Sequence, residues 1–408
     1  MTGLRLHALV ISILSTGQII GWGTTFYFPA VLADDIARDL GIAREVVFLG
    51  VTLMVGVGAL VSPIGGRLMD RHGAGMFLPL GSLMIAAGLA HLATRPSLGS
   101  GALAFALFGL ATPLSLSLAG PTLITQVAPA QARRGIAIMM VFTGLTSSVA
   151  WPITGLLREA LGWQGTLLAF AAANFLLAAP LNAALARVVR APAGSTVLPG
   201  QRTQLGEIGP LLTAAGQRRR ARSMMLLAFA LQGLGSWGLP LHLIAIFETL
   251  GLPSATAVAI AALGGPATLA ARVLDVGLAG YVRPTTSALL AAALIPGAIL
   301  LLLAPLDAGF AALAFTLVWF AANGVMSILR ATLPLTLLGP VGYGALMGRL
   351  ALPQQLAFAA SPTLFAAAFT ALGRDGGVMM GLLIALAALL PVLALARLVG
   401  GVREATGG

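Results

Sequence analysis

Gly65-Gly66-Arg67-Leu68-Met69-Asp70-Arg71-His72-Gly73 is a knot of charge between two apolar runs, 46–65 and 76–94, that contain no Asp, Glu, Lys or Arg. Each flanking run is close to the ~20 residues that a helix needs to cross the hydrocarbon of a bilayer. The knot therefore reads as a tight connection between two membrane-spanning helices. The remainder of the chain has the same grain. Of its 408 residues, 58% are hydrophobic and only 9% are charged, with a mean hydropathy of +0.99. A soluble domain, usually near a quarter charged, covers its surface with polar groups, and this chain has too few to do so. Lipid removes that demand.

Outward from the knot, apolar runs broken by charged, Pro or Gly clusters predict helices at about 8–32, 46–65, 76–94, 101–126, 135–157 and 163–186. They resume at 223–247, 254–274, 284–304, 309–330, 347–371 and 377–397. Between the two sets lies one long polar stretch containing Pro192, Gly194, Pro199, Gly200 and the run Arg218, Arg219, Arg220. The expectation is an all-α membrane protein with twelve transmembrane helices in two pseudo-symmetric six-helix bundles. Residues 1–186 and 223–408 form the bundles, and 187–222 a cytoplasmic linker. The first run starts near residue 8 and continues past Val31 without a small-residue cleavage site, so it reads as a span and not as a removed signal.

All 23 basic residues are arginine. With these spans, only Arg38, Arg44, Arg95, Arg158 and Arg374 fall on the side opposite the N-terminus; the rest share its side. Positive charge is retained on the cytoplasmic side of a membrane. Both termini are accordingly expected inside, in a bacterial-type inner membrane.

The two halves echo each other. Gly21-Trp22-Gly23 in the first run returns as Ser236-Trp237-Gly238 in the seventh, 215 positions later, and the same offset carries Tyr27 onto His242. Gly66-Arg67-Leu68-Met69-Asp70 returns as Ala271-Arg272-Val273-Leu274-Asp275 at the equivalent connection, 205 positions later. Parallel repeats of this kind place a substrate site between the halves near mid-membrane.

The knot itself resembles the signature joining helices two and three of the major facilitator superfamily, broadly G-x-x-x-D-R-x-G-R-R. Gly66, Asp70, Arg71 and Gly73 match it, while Ala74 and Gly75 replace the trailing basic pair. The resemblance implies a transporter working by alternating access. It also implies a conformational clasp, in which Gly66 lets two helices approach and Asp70 meets a helix N-terminus or a neighbouring arginine. Gly66, Asp70 and Arg71, with Arg272 and Asp275 in the second half, are the candidate clasp residues. A weaker resemblance, carried by Val127-Ala128-Pro129-Ala130-Gln131-Ala132-Arg133-Arg134-Gly135 and Leu161-Gly162-Trp163, is to monocarboxylate and oxalate/formate-type carriers. Gln354 and Gln355 stand where the oxalate-type pattern wants a lysine. Trp151-Pro152-Ile153-Thr154-Gly155 is a poor version of the drug/proton antiporter signature.

In the superfamily fold, helices one, four, seven and ten line the cavity, and the Gln, Asn and mid-span Trp residues concentrate there. Candidate substrate-binding residues are Gln18, Trp22, Thr25 and Tyr27 on helix one, Gln126 on helix four, and Thr143 and Ser147 on helix five. Helix seven adds Gln232, Trp237 and His242, beside Ser236, and helix ten adds Trp319 and Asn323. Gln18, Trp22 and Thr25 share one helical face. His242 is the candidate proton-coupling group. Amides, hydroxyls and indoles with little charge suit a small amphipathic or weakly acidic solute.

Several classes are excluded. There is no cysteine, hence no disulfide or thiolate chemistry. No G-x-x-x-x-G-K-[ST] loop occurs, so ATP does not drive this chain. The net charge of +11 is scattered in short breaks, with none of the basic faces that hold nucleic acid. The expected protein is not an enzyme and has no metal or cofactor. Its expected partners are a small-molecule substrate, protons and the bilayer, and it works as a monomer. It would be a permease or symporter of a monocarboxylate-like weak acid. The alternatives are efflux of drugs or metabolites, or a non-transporting assembly or delivery factor on the same fold.

Overall fold

The computed structural model describes residues 3–95, 97–189, 211–278 and 281–406, which are mostly helical with no strand among them. The helices before the central stretch are α1 (Gly3–Thr25), α2 (Pro29–Leu40), α3 (Arg44–His72), α4 (Phe77–Leu92), α5 (Leu98–Ala111), α6 (Ala119–Val127), α7 (Ala132–Thr143), α8 (Thr146–Ala173) and α9 (Ala179–Val188). After it come α10 (Ala215–Leu241), α11 (Leu243–Thr249), α12 (Ser254–Ala262), α13 (Gly264–Leu278), α14 (Pro284–Leu303), α15 (Ala308–Leu338) and α16 (Tyr343–Thr406). Two π-helical segments, Thr112–Ser117 and Asn174–Ala178, join α5 to α6 and α8 to α9.

Ten helical stretches are long and apolar enough to cross a bilayer, and two of these, Pro129–Val188 and Tyr343–Val402, have 60 residues each. Each long stretch breaks at a glycine with φ of 68°, Gly162 in α8 and Gly373 in α16. A side chain resists this left-handed backbone, whereas glycine adopts it freely. With both breaks counted, the described residues hold twelve spans. The breaks close the fifth span of each set of six.

The chain packs as two units, Met1–Gly209 with Pro340–Leu352, and Pro210–Gly339 with Pro353–Gly408. Residues 340–352, which the sequence reading assigns to the second bundle, thus pack with the first unit. The polar stretch is also shorter than expected. Helix α10 begins at Ala215, so Arg218, Arg219 and Arg220 lie in its first turns, while 190–210 lie outside the described residues.

In the first unit, Leu32 and Ile36 of α2 bury one face against Phe105, Phe108 and Phe170. The same helix also carries Asp34, Asp35 and Asp39. Asp34 pairs with Arg44 at 3.0 Å, Asp39 with Arg95 at 2.9 Å, and Asp35 with Arg38 and Arg158. Trp163 Nε1 also donates to Asp39 at 2.8 Å. In the second unit the core gathers Phe247, Phe315, Trp319 and Phe365. Large side chains such as Leu60, Leu156, Leu176, Leu290, Leu383 and Leu390 stand exposed on the two units. Such apolar surface is a liability in water and is solvated in lipid.

The duplication extends to contacts. A Cβ on Gly23 would lie 3.2 Å from the Ala150 methyl, and one on Gly238 would run into the Phe365 ring. Both members of each pair are related by the same offset of 215. The first and fifth spans of each half therefore touch at equivalent residues.

Candidate functional site

The charged knot is not a loop. Helix α3 continues two turns past the predicted end at residue 65, through Asp70 to His72, and Gly73 closes it at φ 86° with its N–H on Met69 O. The apolar count ends the span early because Arg67, Asp70 and Arg71 are charged, but a helix end in the polar interface carries charge readily. Likewise Arg272 and Asp275 lie one turn apart within α13 and not in a loop.

Asp70 faces the start of α16 within the first unit. Its two carboxylate oxygens accept from Gly344 N at 2.9 Å and Ala345 N at 2.7 Å. The first backbone N–H groups of a helix have no partner inside it and carry the positive end of its dipole, so a carboxylate there is stabilising. The approach is close enough that a Cβ on Gly66 would strike the Gly344 carbonyl, and one on Gly348 the Ser62 carbonyl. Gly344 and Gly348 were missed in the sequence, although their spacing of four is the small-residue pattern of close helix pairs. Arg71 is exposed and forms no ion pair among the described residues.

Gln126 supports this arrangement. Its Nε2 donates to Met69 O at 3.0 Å and its Oε1 accepts from Ala74 N at 2.9 Å, bridging the corner just after Asp70. Gln18 is equally engaged. Both its amide hydrogens go to carbonyls of the π segment, Ser115 O at 3.1 Å and Leu116 O at 2.6 Å, and its Oε1 accepts from Trp22 Nε1 at 2.9 Å. Thr25 and Thr143 donate back to their own helices, at Gly21 O and Met139 O. Tyr27 packs edge-on against Phe26 and Trp151, and Ser147 is half-buried. These residues of the first unit are thus dispersed: Gln18 and Gln126 are committed to bonds between helices, and Trp22, Thr25 and Thr143 to bonds within their own.

The second unit does the reverse. Gln232, Trp319 and Asn323 line one cavity with Ser236, walled by α10, α14, α15 and the part of α16 after Gly373. Ser236 Oγ donates to Gln232 O and lies 3.2 Å from Asn323 Oδ1, and Asn323 Nδ2 donates to Trp319 O at 3.0 Å. The Gln232 amide and the Trp319 indole N–H have no hydrogen-bond partner among the described residues. No ionisable side chain lines this cavity. Two other candidates stand apart from it. Trp237 packs on Phe358 at 4.7 Å, and His242, at the junction of α10 and α11, packs on Phe369 at 4.6 Å.

Among solved structures, the human organic anion transporter MFSD10 (TETRAN) is similar at 17% identity with a TM-score of 0.67, covering 96% of this chain and 100% of that one. The Major Facilitator Superfamily transporter FucP, in its outward conformation, is similar at 11% identity with a TM-score of 0.68, covering 96% and 99%. At such identities the likeness is one of fold. No curated protein sequence matches the chain. A family model described as Major Facilitator Superfamily matches residues 13–362. That match, with the twelve spans and the Asp70 corner, shows that the chain belongs to the major facilitator superfamily.

Proposed function

We propose that this membrane transporter carries a small organic solute by alternating access, driven by the solute's gradient or by protons. The observation that carries the reading is the second-unit cavity. Its Gln232 amide and Trp319 N–H belong to residues that line this cavity, and neither has a hydrogen-bond partner among the described residues. Leaving such groups unpaired in a membrane is costly, so they suit a ligand. A monocarboxylate-like weak acid fits this lining when it enters with its proton attached, because no arginine or histidine waits for a carboxylate. Asp70, Gly66 and the start of α16 then act as the clasp that opens and closes during the cycle. The same cavity would serve efflux of an apolar metabolite.

On this reading the protein sits in a bacterial-type inner membrane with both termini inside, a reading supported by where its arginines fall, and it works as a monomer. The test is a proteoliposome screen of neutral and weakly acidic solutes, with and without a pH gradient. Uptake or counterflow of at least one solute, reduced severalfold in Asn323→Leu, is expected. Failure of the whole panel in correctly folded protein would sink the transport reading.

A further inference from the structure

The cavity is polar at one end only. Ser236 Oγ at 3.2 Å from Asn323 Oδ1 sets the level of the polar end, with Gln232 and Trp319 beside it. From there the lining continues along α10 to Met225 and along α15 to Leu333. Those are two to three helical turns, roughly 10–15 Å at 1.5 Å per residue. That remaining length is walled by Ala288, Ala292, Ala388, Val392 and Leu395. Alanines on α14 and α16 leave a slot there between the larger apolar side chains, and none of these residues offers a side-chain hydrogen bond.

Gln232 lies near the middle of the predicted seventh span, 223–247, and Asn323 near that of the tenth. The Gln232 amide presents an NH2 donor and a carbonyl acceptor side by side, the Trp319 indole adds a further donor, and water is scarce. A ligand that both donates and accepts can pair with both. A carboxylate would meet neutral N–H donors but no cation, and an ammonium would find no acid to answer it. Either ion would also enter the bilayer interior without compensation, which is expensive.

Resting on the transport reading above, we infer that the second-unit cavity binds an uncharged amphiphile, its donor–acceptor head against Gln232 and Trp319 and its apolar body in the slot towards Met225 and Leu333. Primary amides, alcohols and protonated carboxylic acids belong to this class. Organic anions and cations are refused at this site. Selection comes from the lining chemistry, which offers neutral donors and acceptors and no charge.

The experiment is photolabelling of the full chain in lipid nanodiscs with a diazirine-bearing decanamide, mapped by mass spectrometry. Label is expected on peptides covering 225–236, 319–333 and 381–395. Unlabelled decanamide and decanol should compete about tenfold or more better than decylammonium, or than decanoate at a pH where it is ionised; tenfold corresponds to about 1.4 kcal/mol. In Gln232→Leu the preference among heads should disappear while an alkyl diazirine without a head still labels the slot, which shows that the slot remains formed. Label spread evenly over the lipid-facing helices, or equal competition by all four amphiphiles, would overturn the inference. So would unchanged head preference in Gln232→Leu. None of these outcomes touches proteoliposome uptake, so the transport reading can survive the loss of this one.

Discussion

Asp70 shows how much one carboxylate can organise. Both oxygens accept from the opening amides of α16, and Gln126 holds the corner behind it. Replacing a side chain that caps a helix N-terminus by alanine costs about 0.5–2 kcal/mol. In Asp70→Ala the amides of Gly344 and Ala345 should therefore exchange hydrogen several times faster, read on a peptide covering 340–352, while exchange in α14 is unchanged. Equal protection in the variant would mean that another group caps the helix. The adjacent glycines differ sharply. A Cβ on Gly65 would meet Pro113 and Leu114 at 3.7 and 3.8 Å, ordinary contact, whereas one on Gly66 meets the Gly344 backbone. Gly65→Ala should leave the melting temperature nearly unchanged in detergent. Gly66→Ala should lower it, at an overpacking cost of about 1–3 kcal/mol.

Among the elements, the break between α5 and α6 is the most informative. Pro113 has no N–H to give to the preceding turn, and the helix widens into the π segment Thr112–Ser117. Widening frees carbonyls, and Gln18 on α1 takes two of them. A glutamine that the sequence offers as a solute ligand is thereby fixed as a brace between helices. Gln18→Leu strands both buried carbonyls, which predicts a loss of about 1–3 kcal/mol. Trp22→Phe, which removes only the donor to Gln18 Oε1, should cost less. Thermal unfolding of the two variants checks the order; a larger effect from Trp22→Phe would contradict it.

At the scale of the whole molecule, arginine distribution carries the orientation, and the absence of cysteine makes it directly measurable. Single cysteines at Ala215 and Ser97 can be introduced into a protein that has none of its own. With the N-terminus inside, a membrane-impermeant maleimide added to intact cells should label the Ser97→Cys variant. The Ala215→Cys variant should react only after the membrane is opened. The reverse pattern would invert the topology.

Hydropathy, arginine placement and the repeated Gly-Trp-Gly and Arg–Asp echoes determined twelve spans in two related halves, because lipid imposes length and polarity locally, residue by residue. The ends of spans were less legible: α3 and α10 carry charge in their terminal turns, which a hydropathy count cuts away. The Asp70 motif was visible, but its partners Gly344 and Gly348 lie far along the chain and became apparent only when packing brought them together. Among the polar candidates, composition alone ranked Gln18, Gln126, Gln232 and Asn323 together. Tertiary structure separated them, since an amide's availability depends on which carbonyls and N–H groups its neighbours leave unpaired. Gln18 and Gln126 meet such groups and are bound, while Gln232 meets an open cavity.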